Sequence, residues 1–191
     1  MAASRDNWWR LLAAFSYPLL MLQAQDAPHT PMSSQSQAEL IKRYEKALEQ
    51  NPEDDEALTQ LHRLVAEASG ISREESLRLK ELVRKYARHA ETILAPPDEQ
   101  GEPLIVSGVV RNEEGMPVAG ALIYVFHADA KGYYSPTRAM DEANARLFGY
   151  MKTAADGHYR FLTIRTGGYP QAPIPQHIHM LVTAEGYQDQ F

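Results

Sequence analysis

Two histidines one residue apart, His177 and His179, are the residues whose types and spacing point most directly to chemistry. Side chains alternate between faces along a β-strand, so a His-x-His pair on a strand directs two imidazoles to the same side. Neutral imidazole is a favoured metal ligand, and such a pair is a common way to present two of them. Solvent-facing histidines on an edge strand would have the same spacing, and that alternative stays open. Tyr169, eight residues before His177, adds a candidate oxygen donor.

The composition limits the metals and the partners. The sequence has 191 residues, a formal net charge of -6 and no cysteine. The lack of cysteine excludes disulfides, thiolate zinc sites and cysteine nucleophiles. Any metal must therefore be held by His, Tyr, Asp or Glu, which suit iron, copper or zinc. No cluster of Lys and Arg is long enough to follow a phosphate backbone, so we expect no nucleic-acid partner.

Residues 1–27 predict a signal peptide or an N-terminal anchor. Arg5 and Arg10 precede an apolar stretch over 11–22, which is too short to span a bilayer, and small residues follow it;. We therefore expect a periplasmic or secreted protein, or one that this segment tethers to a membrane. A buried N-terminal helix is the alternative.

Residues 36–95 predict a three-helix region, because apolar residues recur there at helical spacing in three stretches;. The third stretch begins with a capping box, Ser72 and Glu75, and is expected to continue through Leu94. Pro96 then stops it. The apolar stripes need a partner surface, so the helices should pack on the rest of the chain or on another subunit.

After Pro97 the apolar pattern changes to a period of two, which is typical of strands. Gly- and Asp-containing turns separate the stretches, and one of them, at 155–157, predicts a hairpin. Residues 100–191 therefore predict an antiparallel β-sandwich, so that the fold class is mainly β with a small α-helical region before the sandwich. The predicted strands are 104–110, 121–126, 158–164 and 177–184.

A series of short motifs between residues 101 and 186 resembles the intradiol ring-cleavage dioxygenases of the catechol and protocatechuate type. The motifs cover nearly half of the sequence. They are Gly-Glu-Pro-Leu at 101–104, Gly-Met-Pro-Val-Ala-Gly-Ala at 115–121, Val-Phe-His-Ala-Asp at 125–129, Gly-Tyr-Tyr-Ser at 132–135, Thr-Ala-Ala-Asp-Gly-His-Tyr-Arg-Phe at 153–161, Gly-Tyr-Pro at 168–170 and His-Ile-His at 177–179.

The resemblance implies a mononuclear Fe(III) site. The ligands that it implies by position are Tyr134, Tyr169, His177 and His179. A tyrosine has an ordinary pKa near 10, and a trivalent ion supplies enough positive charge to deprotonate it at neutral pH. Two phenolates are hard anionic donors that favour Fe(III) over Fe(II). By resemblance Tyr134 is also the catalytic residue, because the family's axial tyrosinate leaves the iron when catechol binds and takes up a proton.

The activity implied by the resemblance is that of an oxidoreductase. Its substrates would be dioxygen and a small aromatic diol, and a catechol would be opened to a muconate-type diacid. The sequence departs from the family at Ile174, where an Arg usually stands three residues before the first His. Arg165 and Arg160 are candidates to replace that charge. Loss of the nearby cation favours catechol or an apolar-substituted catechol over a carboxylated substrate.

A second interpretation is a non-catalytic binding module. The pattern at 106–121 and the Asp-Gly-x-Tyr-x-Phe run at 156–161 also describe β-sandwich modules related to carboxypeptidase regulatory domains. Such modules lack the counterparts of Tyr134, Gly-Tyr-Pro and His-x-His. The two interpretations differ in whether the protein binds a metal.

The helical region is expected to make contacts beyond its own core, and the remaining histidines are expected to have no role in metal binding. The sequence stops at Phe191, before the family's last strands, and catechol-type members place an N-terminal helical region at a dimer interface. We therefore expect 36–95 to form a homodimer contact or to shield an open sheet edge. His127 is expected to be a structural hydrogen-bonding residue. The other histidines are expected at the surface, and they are His29, His62, His89 and His158.

Overall fold

The computed structural model describes residues 34–67, 71–135, 140–170 and 172–191. The predicted signal segment, 1–27, and His29 lie outside the described residues, so the expectations about them stay predictions. Among the described residues, no helix combines the length and the apolar character needed to cross a bilayer.

Three α-helices come first in the described chain, as predicted. The side chain of Ser72 accepts a hydrogen bond of 3.1 Å from the amide of Glu75, which confirms the predicted cap of the third helix;. Asp54 caps the second helix in the same way and accepts from the amide of Ala57 at 2.9 Å. The helices are α1 (Ser34–Gln50), α2 (Asp55–Glu67) and α3 (Arg73–Tyr86).

The third helix is shorter than predicted, because it ends at Tyr86 and does not continue to Leu94. Glu91–Ile93 instead form strand β1, which runs parallel to a later strand, His158–Ile164. The apolar spacing of this stretch fits either structure. The stretch becomes a strand because the edge of the later strand offers backbone partners. Pairing satisfies backbone groups that an uncovered edge would leave without hydrogen bonds. The amide of Leu94, for example, donates to the carbonyl of Leu162 at 2.9 Å.

Six strands in the described part of the chain form two three-stranded sheets. One sheet has the order β1-β5-β2 and mixes a parallel with an antiparallel pair, and the other has the order β4-β3-β6 and is antiparallel. A short 3-10 helix, Glu142–Asn144, precedes β4. The remaining strands are β2 (Pro103–Val109), β3 (Leu122–His127), β4 (Leu147–Lys152), β5 (His158–Ile164) and β6 (His179–Thr183).

Two details of the predicted sheet are wrong. The β1–β5 pair is parallel, whereas the sequence pattern predicted antiparallel strands throughout. The turn at 155–157 is not a hairpin, because it carries the chain from β4 in one sheet to β5 in the other. Strand β4 was not predicted from the sequence, because its residues are mostly buried on both faces and show no polar–apolar alternation;.

Two apolar cores hold these elements together. In the first, side chains of the three helices pack against the sheet β4-β3-β6, and its members include Leu48, Leu61, Leu79, Val83, Phe126 and Phe148. In the second, side chains from both sheets pack together, among them Val106, Ile123, Val125, Met151 and Phe161. The apolar stripes of the helices are thus covered within the chain, and the helices share a core with the strands.

The fold class is corrected in one respect. Helices precede the strands as predicted, but more of the described residues lie in helices than in strands, so the fold is mixed and not mainly β. The excess of helix arises because the described region contains three helices of 13 to 17 residues and strands of at most seven.

Candidate metal centre

The four predicted ligands come together at one end of the two sheets. Tyr134 lies in the loop after β3, and Tyr169 lies in the segment after β5. His179 is the first residue of β6, and His177 stands two residues before it. Strand β6 begins two residues later than predicted. The two imidazoles still face each other, because their Nε2 atoms are 2.9 Å apart.

The donor atoms of the four side chains form a closed ring of contacts. The hydroxyl oxygens of Tyr134 and Tyr169 are in direct contact. The Tyr134 oxygen is 3.0 Å from Nε2 of His179, and the Tyr169 oxygen is 3.1 Å from Nε2 of His177. Two oxygens and two nitrogens therefore converge on one point, although the residues span 46 positions of the sequence.

Proton counting shows that hydrogen bonds alone do not satisfy this ring. Nδ1 of His177 lies 2.7 Å from the carbonyl of Pro175 and donates to it, so Nε2 of the neutral ring carries a lone pair;. The ring of four contacts then has at most three protons: those of the Tyr134 and Tyr169 hydroxyls and one on Nε2 of His179. At least one contact brings two lone pairs together. A bound cation removes that conflict, so the donor set fits a metal ion.

Burial keeps the two innermost side chains neutral. Tyr134 is 1% exposed, and its burial raises the pKa of the phenol well above the ordinary range, with the hydrogen bond to Tyr169 adding to the rise. Burial also lowers the pKa of His179 below its usual 6.5; Glu142 opposes this change and His177 adds to it. A phenolate at Tyr134 therefore requires a cation that offsets the loss of solvation.

Phe126 orients His179. The two residues are register partners on β3 and β6, and their rings stack with centroids 4.5 Å apart and planes 2° apart. The ring centroids of Tyr134 and Phe126 are 6.1 Å apart. Sequence reasoning missed this role of Phe126. Its position directly before His127 in the second predicted strand was the available signal, but the partner strand could not be assigned from sequence.

His127 has the structural role that the sequence predicted. It is buried, with Nδ1 2.7 Å from the carbonyl of Ala128 and Nε2 2.6 Å from the hydroxyl of Thr163. Because both nitrogens have partners within the chain, neither is available to a metal. Burial lowers the pKa of His127 to about 4.

The prediction that the remaining histidines lie at the surface holds only in part, because the three within the described residues are all half-buried. Nε2 of His62 is 2.7 Å from the carbonyl of Phe148, its ring stands edge-on to the Phe148 ring, and burial lowers its pKa to about 4. His89 and His158 are half-buried, and His89 contacts the carboxylate of Asp55 at 2.6 Å. In the described parts of the chain, no three His, Cys, Asp or Glu side chains form a metal cluster.

Ile174 and the two candidate arginines lie in different surroundings. Ile174 is 45% exposed. Arg165 lines a cavity of about 540 Å³ together with His177, and its Nε donates to Gln176 at 3.3 Å. Arg160 lies within β5, between Glu91 of β1 and Ser107 of β2. Of the two arginines, Arg165 is therefore the one that shares a cavity with a predicted ligand, His177.

Comparison with known families identifies the class of protein. A family model described as dioxygenase matches residues 82–190, which is more than half of the chain. The chain therefore belongs to the intradiol ring-cleavage dioxygenase family. The resemblance read from the motifs is confirmed at this level.

Three curated relatives illustrate the similarity. Catechol 1,2-dioxygenase 1 of Acinetobacter lwoffii is 43% identical over 44% of this chain and 29% of its own length. The protocatechuate 3,4-dioxygenase beta chain of Burkholderia cepacia is 40% identical over 41% of this chain and 37% of its own. The 6-chlorohydroxyquinol 1,2-dioxygenase of Cupriavidus pinatubonensis is 33% identical over 47% and 38%. The chain thus spans less than two fifths of these relatives.

Solved structures of the same class are similar at a lower level. Catechol 1,2-dioxygenase from Pseudomonas arvilla C-1 is 26% identical, with 54% of this chain and 38% of that chain covered and a TM-score of 0.47. The dioxygenase domain of a carbohydrate-binding fusion protein from Streptomyces sp. SirexAA-E is 31% identical, with 54% and 61% covered and a TM-score of 0.44.

Proposed function

We propose that this chain is an Fe(III)-dependent intradiol dioxygenase that opens a catechol to a muconate-type diacid. The convergence of two phenol oxygens and two imidazole nitrogens, with too few protons to satisfy their contacts, is the observation that carries the proposal. Family membership supports it. The overall change is balanced: the bond between the two hydroxyl-bearing carbons breaks, and both atoms of dioxygen end in the two carboxyl groups.

Tyr134, Tyr169, His177 and His179 would hold the iron. A ferric ion there would bind the catecholate and make it reactive toward dioxygen. The hydrogen bond from Nδ1 of His177 to Pro175 supports this assignment, because such a bond fixes the tautomer and the orientation of a ligating imidazole;. The stack on Phe126 does the same for the ring plane of His179.

Tyr134 is the residue that we assign to proton uptake. Its hydroxyl contacts both Tyr169 and His179, so a proton on Oη has acceptors in the site. Its high pKa means that the phenol holds a proton once it is no longer beside a cation;. Tyr134 would accept a proton released from a catechol hydroxyl when the diol binds.

We infer a substrate without a carboxylate, such as catechol or an apolar-substituted catechol. Ile174 stands where a cation would favour an anionic ring, and it is exposed. Arg165, which adjoins His177 across the cavity, would supply the charge that stabilises negative charge developing on the bound diol. A substrate preference for protocatechuate over catechol would contradict this inference.

The finer architecture and the assembly are further parts of the proposal. The second apolar core, with side chains from both sheets, supports a β-sandwich. We also propose the periplasmic, secreted or membrane-tethered location predicted from 1–27, and a homodimer through the helical region. Light scattering of the purified chain and of a variant with charged substitutions on the exposed helix faces tests the homodimer.

One experiment separates the dioxygenase from the non-catalytic module. Two tyrosinates on ferric iron absorb visible light by ligand-to-metal charge transfer, so the purified protein should be burgundy and contain one iron per chain. Oxygen consumption on addition of catechol should follow. A colourless protein that stays without iron after reconstitution, or that holds stoichiometric zinc, contradicts the proposal.

A further inference from the structure

The loop that carries Tyr134 is organised by the carboxylate of Asp129. Oδ1 of Asp129 accepts hydrogen bonds from the amides of Lys131 at 2.8 Å and Tyr133 at 3.0 Å. The backbone amide of Asp129 donates to the carbonyl of Tyr133 at 2.8 Å. One side chain therefore fixes the turn that delivers Tyr134 into the site.

The same residue connects this loop to the segment of Tyr169. The carbonyl of Asp129 accepts from the amide of Gly167 at 2.8 Å. Gly132 has a φ of +85°, and a Cβ atom there would collide with the carbonyl of Gly168. The two backbones thus lie in direct contact two residues from Tyr134 and one residue from Tyr169. The separation of the two phenols depends on this contact.

Arg146 holds the loop from its other end. Its backbone amide donates to the carbonyl of Tyr134 at 2.9 Å. Its guanidinium makes a two-pronged ion pair with Glu99, of which the Nη2–Oε1 bond is 2.6 Å, and lies 3.7 Å from Oδ2 of Asp129. The backbone of Tyr134 is therefore bracketed by two residues whose side chains face each other.

This ion network is largely shielded from solvent. The side chains of Arg146, Glu99 and Asp129 are 13%, 10% and 16% exposed. One cation faces two carboxylates, and burying such a set is costly, so its presence is weak evidence for added stability. The hydrogen bonds and ion pairs around the loop instead restrict its geometry;. None of the three residues belongs to the predicted ligand set.

We propose that Asp129 and Arg146 are positioning residues that set the location of Tyr134 relative to Tyr169 and thereby tune the metal centre. The proposal rests on the proposed iron site. Its physical basis is that residues behind metal ligands orient them, and their loss typically costs ~10- to 100-fold in metal affinity. Asp129 acts through the turn, and Arg146 acts through the Tyr134 carbonyl and the carboxylate of Asp129.

The test compares Asp129→Ala with Asp129→Asn in the full chain. Alanine removes the acceptor for both amides, whereas asparagine keeps an acceptor oxygen and removes only the charge that faces Arg146. Asp156→Ala is the matched control, because Oδ1 of Asp156 likewise accepts an amide two residues on, from His158 at 3.0 Å, in a turn outside the site. The readouts are iron affinity, the charge-transfer maximum and amide exchange at Tyr133.

We expect Asp129→Ala to lower iron affinity ~10- to 100-fold, to shift the charge-transfer maximum and to accelerate exchange at Tyr133. Asp129→Asn should restore most of the affinity and the position of the band, and Asp156→Ala should change neither. An Asp129→Ala protein with the parent's band and affinity overturns the proposal, even if exchange is faster.

A second variant covers the case in which Asp129→Ala does not fold. Arg146→Lys keeps the positive charge but cannot reproduce the planar, two-pronged contact, so it should shift the band in the same direction by a smaller amount. An unshifted band in a folded Arg146→Lys protein overturns the role of Arg146. If the parent protein itself shows no iron band, the proposed function fails and only the effect on the loop can be tested. Faster amide exchange at Tyr133 in Asp129→Asn or Arg146→Lys than in the parent then supports the positioning role, and unchanged exchange in both overturns it.

Discussion

The two sides of the candidate metal centre are held in different ways. On one side, Tyr134 is fully buried and its loop is tied by hydrogen bonds to Asp129 and Arg146. On the other side, Tyr169 and His177 are half-buried, and the segment between them carries Ile174, which is exposed. The nearby Arg165 and Glu102 form an open ion pair at 3.4 Å.

The difference in burial between the two sides suggests different functions for them. Hydrogen bonds around a buried side chain fix one donor before any ligand arrives, which is how a site avoids reorganisation during a reaction. An exposed segment admits solvent and small molecules more readily. We therefore expect substrate to enter from the side of Arg165 and His177, and we expect Tyr134 to respond to substrate from a fixed backbone. The following predictions test the two sides against each other.

The largest effect is expected from His177→Ala on the exposed side. Removal of its Nε2 takes away one of four converging donors, so the protein should lose stoichiometric iron and its visible absorbance while keeping its fold. Metal analysis and absorption spectroscopy measure this. His158→Ala is the matched control, because His158 is half-buried in β5 and outside the site. Equal iron content in the two variants would contradict the ligand assignment.

On the buried side, Glu99→Gln should destabilise the fold by up to about 3 kcal/mol, because it removes the charge of the two-pronged partner and leaves only Asp129 to face the Arg146 guanidinium;. Asp141→Asn, which breaks the more exposed ion pair with Arg73, should cost less than about 1 kcal/mol;. Urea unfolding of both variants gives the comparison. Similar losses in the two variants would show that the Glu99 pair behaves as a surface pair.

Low pH should reduce the free energy of unfolding through a buried histidine next to the Tyr134 loop. Burial lowers the pKa of His127 to about 4, whereas the unfolded chain takes up this proton near pH 6.5. Stability from the neutral ring is therefore fully present above pH 6.5 and falls as the pH drops toward 4, by about 3 kcal/mol. His127→Gln should reduce that pH dependence. A variant with the parent's slope in urea unfolding between pH 7 and pH 4 refutes the contribution of His127.

The smallest effect concerns the two arginines. Arg165→Met should lower kcat/KM for catechol about tenfold, equivalent to about 1.4 kcal/mol, because the cation beside His177 is lost;. Arg160→Met, a change of the same size within β5, should leave the kinetics near those of the parent. Steady-state oxygen consumption compares them. If only Arg160→Met is slow, Arg160 and not Arg165 supplies the charge.

The identity of the ligands could be predicted from sequence because ligand chemistry is local. His-x-His, Gly-Tyr-Pro and Gly-Tyr-Tyr-Ser are short motifs, and each presents a donor whatever the rest of the chain does. Helix caps such as Ser72 are also local, since the acceptor lies three residues from the donor;. The helical region and four of the strands followed from periodicity for the same reason.

Pairings between distant segments were decided only by the tertiary structure. The stretch 91–93 has apolar spacing that suits a helix, yet it became a strand because the side of β5 offered backbone partners;. Strand β4 is buried on both faces, so alternation gave no signal;. The contact of Asp129 with Arg146 and the stack of Phe126 on His179 join residues 17 and 53 positions apart. The sequence alone determined which donors are available, and the fold determined which side chains hold them, because long-range contacts depend on how whole elements pack.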